Sequence, residues 1–420
     1  MFVRNDVTVD ARVLKEAATL RDAGHSLTIV GTARSDGPGH VEREECDGLT
    51  IVRVPQPNWR SWWRWLRAPS RLWSMLRRRS IHARPGERMD GLDWVAMWRF
   101  GTLGWARAAA REAGPADAFH GHDLNGLPAA VYARRVHGGR LVYDSHELYI
   151  ESASTAGRPR WAVDWLARRE LAWSADADAV VTVNDALAED LGRRLRPKRV
   201  VVVHNCPPRP AEPLLVPDDR IRAAASIPRA APIVIYTGGL RPGRGLEQLA
   251  DAMLEPGLEG AHLAYLGFGP LREDIVRLAA EPRFGGRLHV LDAVGPLEVV
   301  PWVASADVDV IPIQRHNRSY ELSTPNKLFE AMAAGVPVVA SDFPGMRAIV
   351  GGIGEGPLGE LCDPADPASI GTAIRRLLEL PADERRAIGA RGRRAAVERW
   401  NWETESVRLV ELYRDLGGER

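Results

Sequence analysis

Cysteine is scarce in this chain of 420 residues: only Cys46, Cys206 and Cys362 occur, singly and far apart. That spacing supports neither a disulfide framework nor a zinc site and fits a reducing compartment. Long hydrophobic runs are missing too. No stretch approaches the roughly eighteen apolar residues that cross a bilayer, and no charged-then-apolar leader opens the sequence, so neither membrane spanning nor secretion is expected. Net charge is almost absent, since 56 Lys and Arg stand against 55 Asp and Glu. A sustained basic face for nucleic acid is therefore not expected, and the expected location is the cytoplasm.

What is present is ordinary globular chemistry, 45% hydrophobic and 26% charged, in a chain too long for one simple core. Two domains are expected. Val13, Ala17 and Leu20 recur at helical spacing between Asp10 and Ala23, Gly24 gives a stop, and Leu27–Val30 follows as a buried-type strand. The same α-then-β step brings strands at Leu141–Tyr143, Ala179–Val183 and Arg199–Val203. Four prolines in Cys206–Pro213 then break both regular structures and mark a linker. Beyond it, strands at Ile233–Tyr236, Leu263–Leu266, Leu288–Leu291, Val308–Ile311 and Val336–Ala340 alternate with helices, and helices over Pro367–Leu378, Ala382–Glu398 and Trp402–Leu416 close the chain. Such alternation predicts two doubly wound α/β domains with parallel sheets and ligands at the strands' carboxyl ends.

The sharpest local signal is Ser323-Thr-Pro-Asn-Lys-Leu-Phe-Glu-Ala-Met-Ala-Ala-Gly335. Thr324 suits an N-cap, Pro325 the first helical position and Gly335 the stop. Lys327 and Glu330 share a face near the helix's positive end, where exposed N–H groups favour an anion. A phosphate with Lys327 as counter-charge, and a ribose on Glu330, fits; an ordinary solvated ion pair is the alternative. A second signal is Tyr236-Thr-Gly-Gly-Leu-Arg-Pro-Gly-Arg-Gly245, which leaves a strand and opens a helix. Its glycines allow close backbone approach, and Arg241 and Arg244 are available to phosphate oxygens. It matches neither the P-loop nor the dinucleotide fingerprint, and a tight turn with solvated arginines is the bland reading.

Together, Gly238-Gly239-x-x-x-x-Arg244-Gly245 and Pro325-x-Lys327-x-x-Glu330-Ala-Met-Ala-x-Gly335-x-Pro-Val-Val339 resemble the donor-binding half of family 4 glycosyltransferases of the GT-B fold. Asp10-Ala-Arg-Val13, Ala23-Gly-His-Ser26, His120-Gly-His-Asp123 and His204-Asn205 are similar to that family's amino-terminal half. The resemblance implies an acceptor domain over 1–206, a donor domain over 207–400 and a helix over 401–420 returning to the first domain. It implies a nucleotide-sugar donor, retention of anomeric configuration, and no metal or other cofactor. Arg244 and Lys327 would neutralise the diphosphate, Glu330 would hold the ribose, and His122 would touch the donor sugar. Gly238, Gly239, Val294, Ser323, Thr324 and Asn326 would line the donor site. Asp10, Asp123, His146 and Glu147 would face the acceptor or cleft.

The sequence departs from the family pattern twice. Leu322 occupies the place of the family's other acid, with Glu321 one residue further out, and Gly239 stands where an arginine is common. A nucleotide-sugar epimerase or hydrolase on the same plan, or a catalytically silent sugar-nucleotide-binding protein, is the alternative. Tryptophan and arginine interleave at Trp59, Trp62, Trp63, Arg64, Trp65 and Arg67 and on through residue 79. That pattern suits an anionic membrane surface and a lipid-linked acceptor, with nucleic-acid stacking, which the overall charge does not support, and an arginine-covered packing face or partner surface as the competing readings; the acceptor is otherwise a small molecule.

Overall fold

A computed structural model of the chain describes residues 1–8, 10–34, 39–59, 85–210, 219–352, 354 and 356–418. The chain forms two units: Met1–Val183, Leu187–Val203 and Ser406–Arg420 make unit 1, and Asn184–Ala186 with His204–Glu405 make unit 2. Of the Trp/Arg stretch only Trp59 is described; Trp62, Trp63, Arg64, Trp65 and Arg67 lie outside the described residues.

Unit 1 carries strands β1 (Thr28–Thr32), β2 (Glu42–Cys46), β3 (Leu49–Val54), β4 (Ala118–His122), β5 (Arg140–Ser145), β6 (Ala179–Thr182) and β7 (Val200–Val202). They lie in the orders β1-β3-β2 and β4-β5-β6-β7, all parallel except the β2–β3 hairpin. Phe2 stitches the two sets, bridging Val30 on one side and Gly121 on the other. Its N–H donates to the His120 carbonyl at 2.7 Å and its carbonyl accepts from the His122 N–H at 2.9 Å. Helix α1 (Ala11–Asp22) is capped by Asp10, which accepts from the Val13 N–H, and it buries Val13, Ala17 and Leu20 as its spacing predicts. It also buries Arg12 and Glu16, which the apolar pattern does not predict. Helix α2 (Asp123–His137) lies directly on β4: a Cβ at Gly121 would meet the Leu127 Cα at 2.7 Å.

Unit 2 holds one six-stranded parallel sheet of β8 (Ile233–Thr237), β9 (His262–Leu266), β10 (Leu288–Leu291), β11 (Val308–Ile311), β12 (Val338–Ser341) and β13 (Gly359–Cys362). The order is β10-β9-β8-β11-β12-β13. Buried Ile235, Ile311, Leu328, Phe329 and Val338 belong to the core on one of its faces, and Val234, Tyr236, Tyr265 and Val310 to the core on the other. Two boundaries differ from the sequence expectation. Strand β12 starts at Val338 rather than Val336, because Gly335 turns at φ 72° and Pro337 has no N–H for the ladder. Helix α3 spans Asn326–Ala334 with extended Pro325, not Thr324, at the cap, and no side chain bonds its first turn. The Thr324 hydroxyl is engaged elsewhere, accepting from Asn184 Nδ2 of the same unit at 3.0 Å.

Candidate functional site

In unit 2 the chain leaves β8 through Gly238, whose φ of +103° is open to glycine and strained for other residues. The Tyr236 hydroxyl donates to the Gly239 carbonyl at 3.0 Å and anchors this loop. Lys327, on the first turn of α3, reaches beneath it. Its Nζ lies 3.6 Å from the Tyr236 ring centroid and 3.5 Å from where a Cβ on Gly238 would stand. It is buried and has no hydrogen-bond partner among the described residues. An ammonium with all three N–H bonds unused, facing a ring and a bare backbone, is poised to donate to an anion. Burial lowers the Lys327 pKa to about 7, Asp309 pulling it up and Arg244 pushing it down. Arg244 stacks its guanidinium 4.7 Å from the Tyr320 ring centroid. So the structure brings Lys327 against Gly238 at the carboxyl end of β8, with Arg244 close enough to act on the Lys327 charge.

Gly239 and Glu330 are half-buried, Asn326 is exposed, and Thr324 is buried. Val294 packs against the hydrophobic core. The Ser323 hydroxyl donates to the Tyr320 carbonyl at 2.9 Å. Glu321 pairs with Arg315 at 3.2 Å, and Leu322 ends the short helix Arg318–Leu322. Asp309, in the middle of β11, escaped the sequence reading although a lone acid inside a β-branched run was its signal. It is fully buried, and burial raises its pKa to about 7 while Lys327 and the Val310 backbone N–H pull it down.

In unit 1 the expected residues join a buried ionic cluster. His122 ends β4 with its ring inside the unit, Nδ1 3.5 Å from Asp144 Oδ2. His120, stacked on it at 4.3 Å, holds the Tyr413 hydroxyl at 2.8 Å through Nδ1. Arg12 links the carboxyl groups, its Nε 2.9 Å from Glu16 and its Nη2 3.2 Å from Asp144. His146 approaches Asp144 at 3.0 Å and Asp123 at 3.4 Å. Burial lowers the pKa of His122 to about 3, with His120 beside it adding to the effect, so the imidazole is neutral. Burial and then Asp144 raise Glu16 to about 8 against the pull of Arg12. Although burial works the other way in both, Asp144 is held well below its ordinary value by Arg12 and His146, and His146 well above its own by Asp123 and Asp144. Arg12, Glu16 and Asp144 carry this network and were not among the expected site residues. Asp10, expected at the cleft, is the cap of α1, and the Glu147 carbonyl accepts from the Ser145 hydroxyl. Donor atoms of Glu16, His120, His122 and Asp144 lie within 4.8 Å of one another, a spacing that suits a cation. The Arg12 guanidinium already supplies that positive charge.

The motif geometry agrees with two family models: residues 8–206 match a glycosyl transferase 4-like domain, and residues 231–380 match glycosyl transferases group 1. The chain is a family 4 glycosyltransferase. Among curated relatives, this glycosyltransferase is 34% identical over 196 residues to a GDP-mannose-dependent alpha-(1-6)-phosphatidylinositol monomannoside mannosyltransferase of Mycolicibacterium smegmatis. That alignment spans 45% of this chain and 48% of the relative. It is 28% identical over 347 residues to a D-inositol 3-phosphate glycosyltransferase of Xylanimonas cellulosilytica, across 71% of this chain and 80% of the relative. The sucrose-phosphate synthase structure from Thermosynechococcus elongatus superposes with a TM-score of 0.71 at 22% identity, covering 97% of this chain and 93% of that one. At that identity the likeness shows the fold, which is GT-B.

Proposed function

We propose that this family 4 glycosyltransferase moves a hexosyl group from a nucleoside-diphosphate sugar to an acceptor hydroxyl with retention of anomeric configuration. One observation carries the reading: the buried Lys327 ammonium, with no hydrogen-bond partner among the described residues, beneath Gly238 and beside Arg244. Lys327 and Arg244 take the charge that develops on the diphosphate as the bond from the anomeric carbon to the phosphate oxygen breaks. The acceptor oxygen bonds the anomeric carbon from the same face, and its proton passes to the departing phosphate oxygen. No protein nucleophile enters this scheme, and no residue here is assigned to a metal. Glu330 is the ribose acceptor in this reading. His122, buried and neutral within unit 1, keeps its place beside the donor sugar on family resemblance.

A mannosyl donor and a lipid-linked acceptor are supported by the likeness to the M. smegmatis mannosyltransferase, and a small-molecule acceptor by the likeness to the D-inositol 3-phosphate glycosyltransferase. Attachment to anionic membrane through residues 59–79 rests on their Trp/Arg pattern. Incubation with GDP-mannose and UDP-glucose and with candidate acceptors tests the whole reading. Free nucleoside diphosphate and an acceptor glycoside of unchanged anomeric configuration are expected. Nucleotide release without acceptor dependence identifies a hydrolase instead, and an isomerised donor an epimerase.

A further inference from the structure

Arg4 is a half-buried cation of unit 1 that stands outside the ionic cluster. It follows Phe2, which runs parallel to β1 and β4 and bridges both, so Arg4 emerges at the carboxyl end of the sheet. Gln56 lies just past β3 at the same end, and Asn125 lies in the first turn of α2, just past β4. Gly126 holds that turn against the Phe2 stub, since a Cβ there would collide with the Phe2 carbonyl oxygen. Ligands of open α/β sheets gather at this end of the strands.

One edge of a guanidinium presents Nε and the neighbouring Nη2 as a pair of donors. In Arg12 that edge is taken: both atoms donate to Asp144 Oδ2, at 3.3 and 3.2 Å. Arg53, also buried in unit 1, pairs with Glu44. In Arg4 the same edge is open. Its Nε is buried with no hydrogen-bond partner among the described residues, and Nη2 meets the neutral Gln56 Oε1 at the long distance of 3.4 Å. Burial lowers the Arg4 pKa, Tyr149 from beyond β5 opposes it, and no carboxylate among the described residues acts on the charge. Asn125 Oδ1 is likewise buried without a hydrogen-bond partner among the described residues.

We propose that the Nε–Nη2 edge of Arg4 is an oxyanion subsite for the acceptor and holds a phosphate ester carried by it. The inference rests on the transferase reading above and adds a charge to the acceptor. A neutral hydroxyl would fill one donor of the edge and leave the cation unanswered, whereas a phosphate gives two oxygens and the missing countercharge. Asn125 Oδ1 adds an acceptor for a hydroxyl of the same molecule, so a phosphorylated polyol suits both groups. A soluble polyol phosphate and a phospholipid headgroup share this chemistry.

Inositol phosphate in solution and phosphatidylinositol in mixed micelles serve as probes on the full chain, with inositol as the phosphate-free control. Calorimetry should show at least one phosphate probe bound more tightly than inositol. Arg4→Gln should weaken that probe by roughly tenfold or more, the scale of a charge-assisted hydrogen bond, and should leave GDP binding in unit 2 as it was. Arg4→Lys keeps the cation without the edge and should fall between the two, an order that misfolding does not produce. Binding of the soluble probe alone identifies a free polyol phosphate, and binding of the micelle alone a headgroup; both support the proposal if they depend on Arg4. Equal phosphate affinity in wild type and Arg4→Gln overturns it, as does inositol bound as tightly as the phosphate probes, or no phosphate probe bound at all. Absence of GDP binding in the wild type is a separate result, which sinks the donor-site reading and not the Arg4 subsite.

Discussion

Unit 1 and unit 2 each bury a set of opposite charges, and they treat them in opposite ways. In unit 1, Arg12 pairs with Glu16 and Asp144, and His146 with Asp123 and Asp144, while Glu16, His120, His122 and His146 keep buried polar atoms without a hydrogen bond among the described residues. In unit 2, the buried Lys327 ammonium makes no ion pair and has no hydrogen-bond partner among the described residues. An ion-paired cluster spends its charge on its own architecture, and an unpaired ammonium keeps it for a ligand. The family motifs thus sit in two physical settings: those on β4 and β5 in an ion-paired cluster, and those on β8 and α3 around an ammonium with no ion pair or hydrogen bond among the described residues.

Removing a charge from each region breaks this comparison most directly. Arg12→Met should cost unit 1 about 3–5 kcal/mol, because it strands a buried carboxylate, while Lys327→Met should change stability by less than about 1 kcal/mol, since Asp309 near neutrality answers by taking a proton. Urea unfolding of the two variants measures both; equal losses would show that the regions do not differ. Ligand affinity should invert the ranking. Lys327→Ala and Arg244→Ala should each weaken nucleoside-diphosphate binding by about 1.5–3 kcal/mol, the scale of a charge-assisted hydrogen bond, and unchanged calorimetric affinity in both would remove the site assignment. A pH dependence tests unit 1 by itself. With Glu16 raised from its ordinary value to about 8, its contribution is fully present below about pH 4.5 and is lost as pH rises to about 8. Relative to the wild type, Glu16→Gln should therefore gain stability steadily between pH 5 and 8, read as a shift in urea midpoint; a constant difference would mean that Glu16 is ionised throughout.

Much of this was legible in the sequence wherever a single element reports its own environment. Runs such as Ile233–Tyr236 and Val308–Ile311 are buried on both faces and read as strands without any partner in view. Lys327 and Arg244 were found because helix ends and glycine loops have local signatures. The β2–β3 hairpin was not read, although Asp47-Gly48, with φ of 49° and 72°, is a hairpin turn dipeptide. Its first strand, Glu-Arg-Glu-Glu-Cys, is exposed and carries no apolar alternation. The ionic cluster was harder still. Arg12, Glu16 and Asp144 come from α1 and β5, and only tertiary packing turns a polar helix position into a buried one. Asp309 was visible as an acid within an apolar strand, but its meaning required Lys327 to arrive from another element.

The order in which unit 1 can be completed follows from where its pieces lie along the chain. Phe2 finds its second bridging partner only when residue 121 has been made. Its final contributions come later, after all of unit 2: Arg408 donates to the Val202 carbonyl, Asp415 pairs with Arg199, and Tyr413 meets His120. During synthesis the first half of the enzyme must wait, half-assembled, for the last segment to leave the ribosome. Unit 2 can mature meanwhile, so a nascent chain should acquire a protease-resistant unit 2 before it acquires a resistant unit 1.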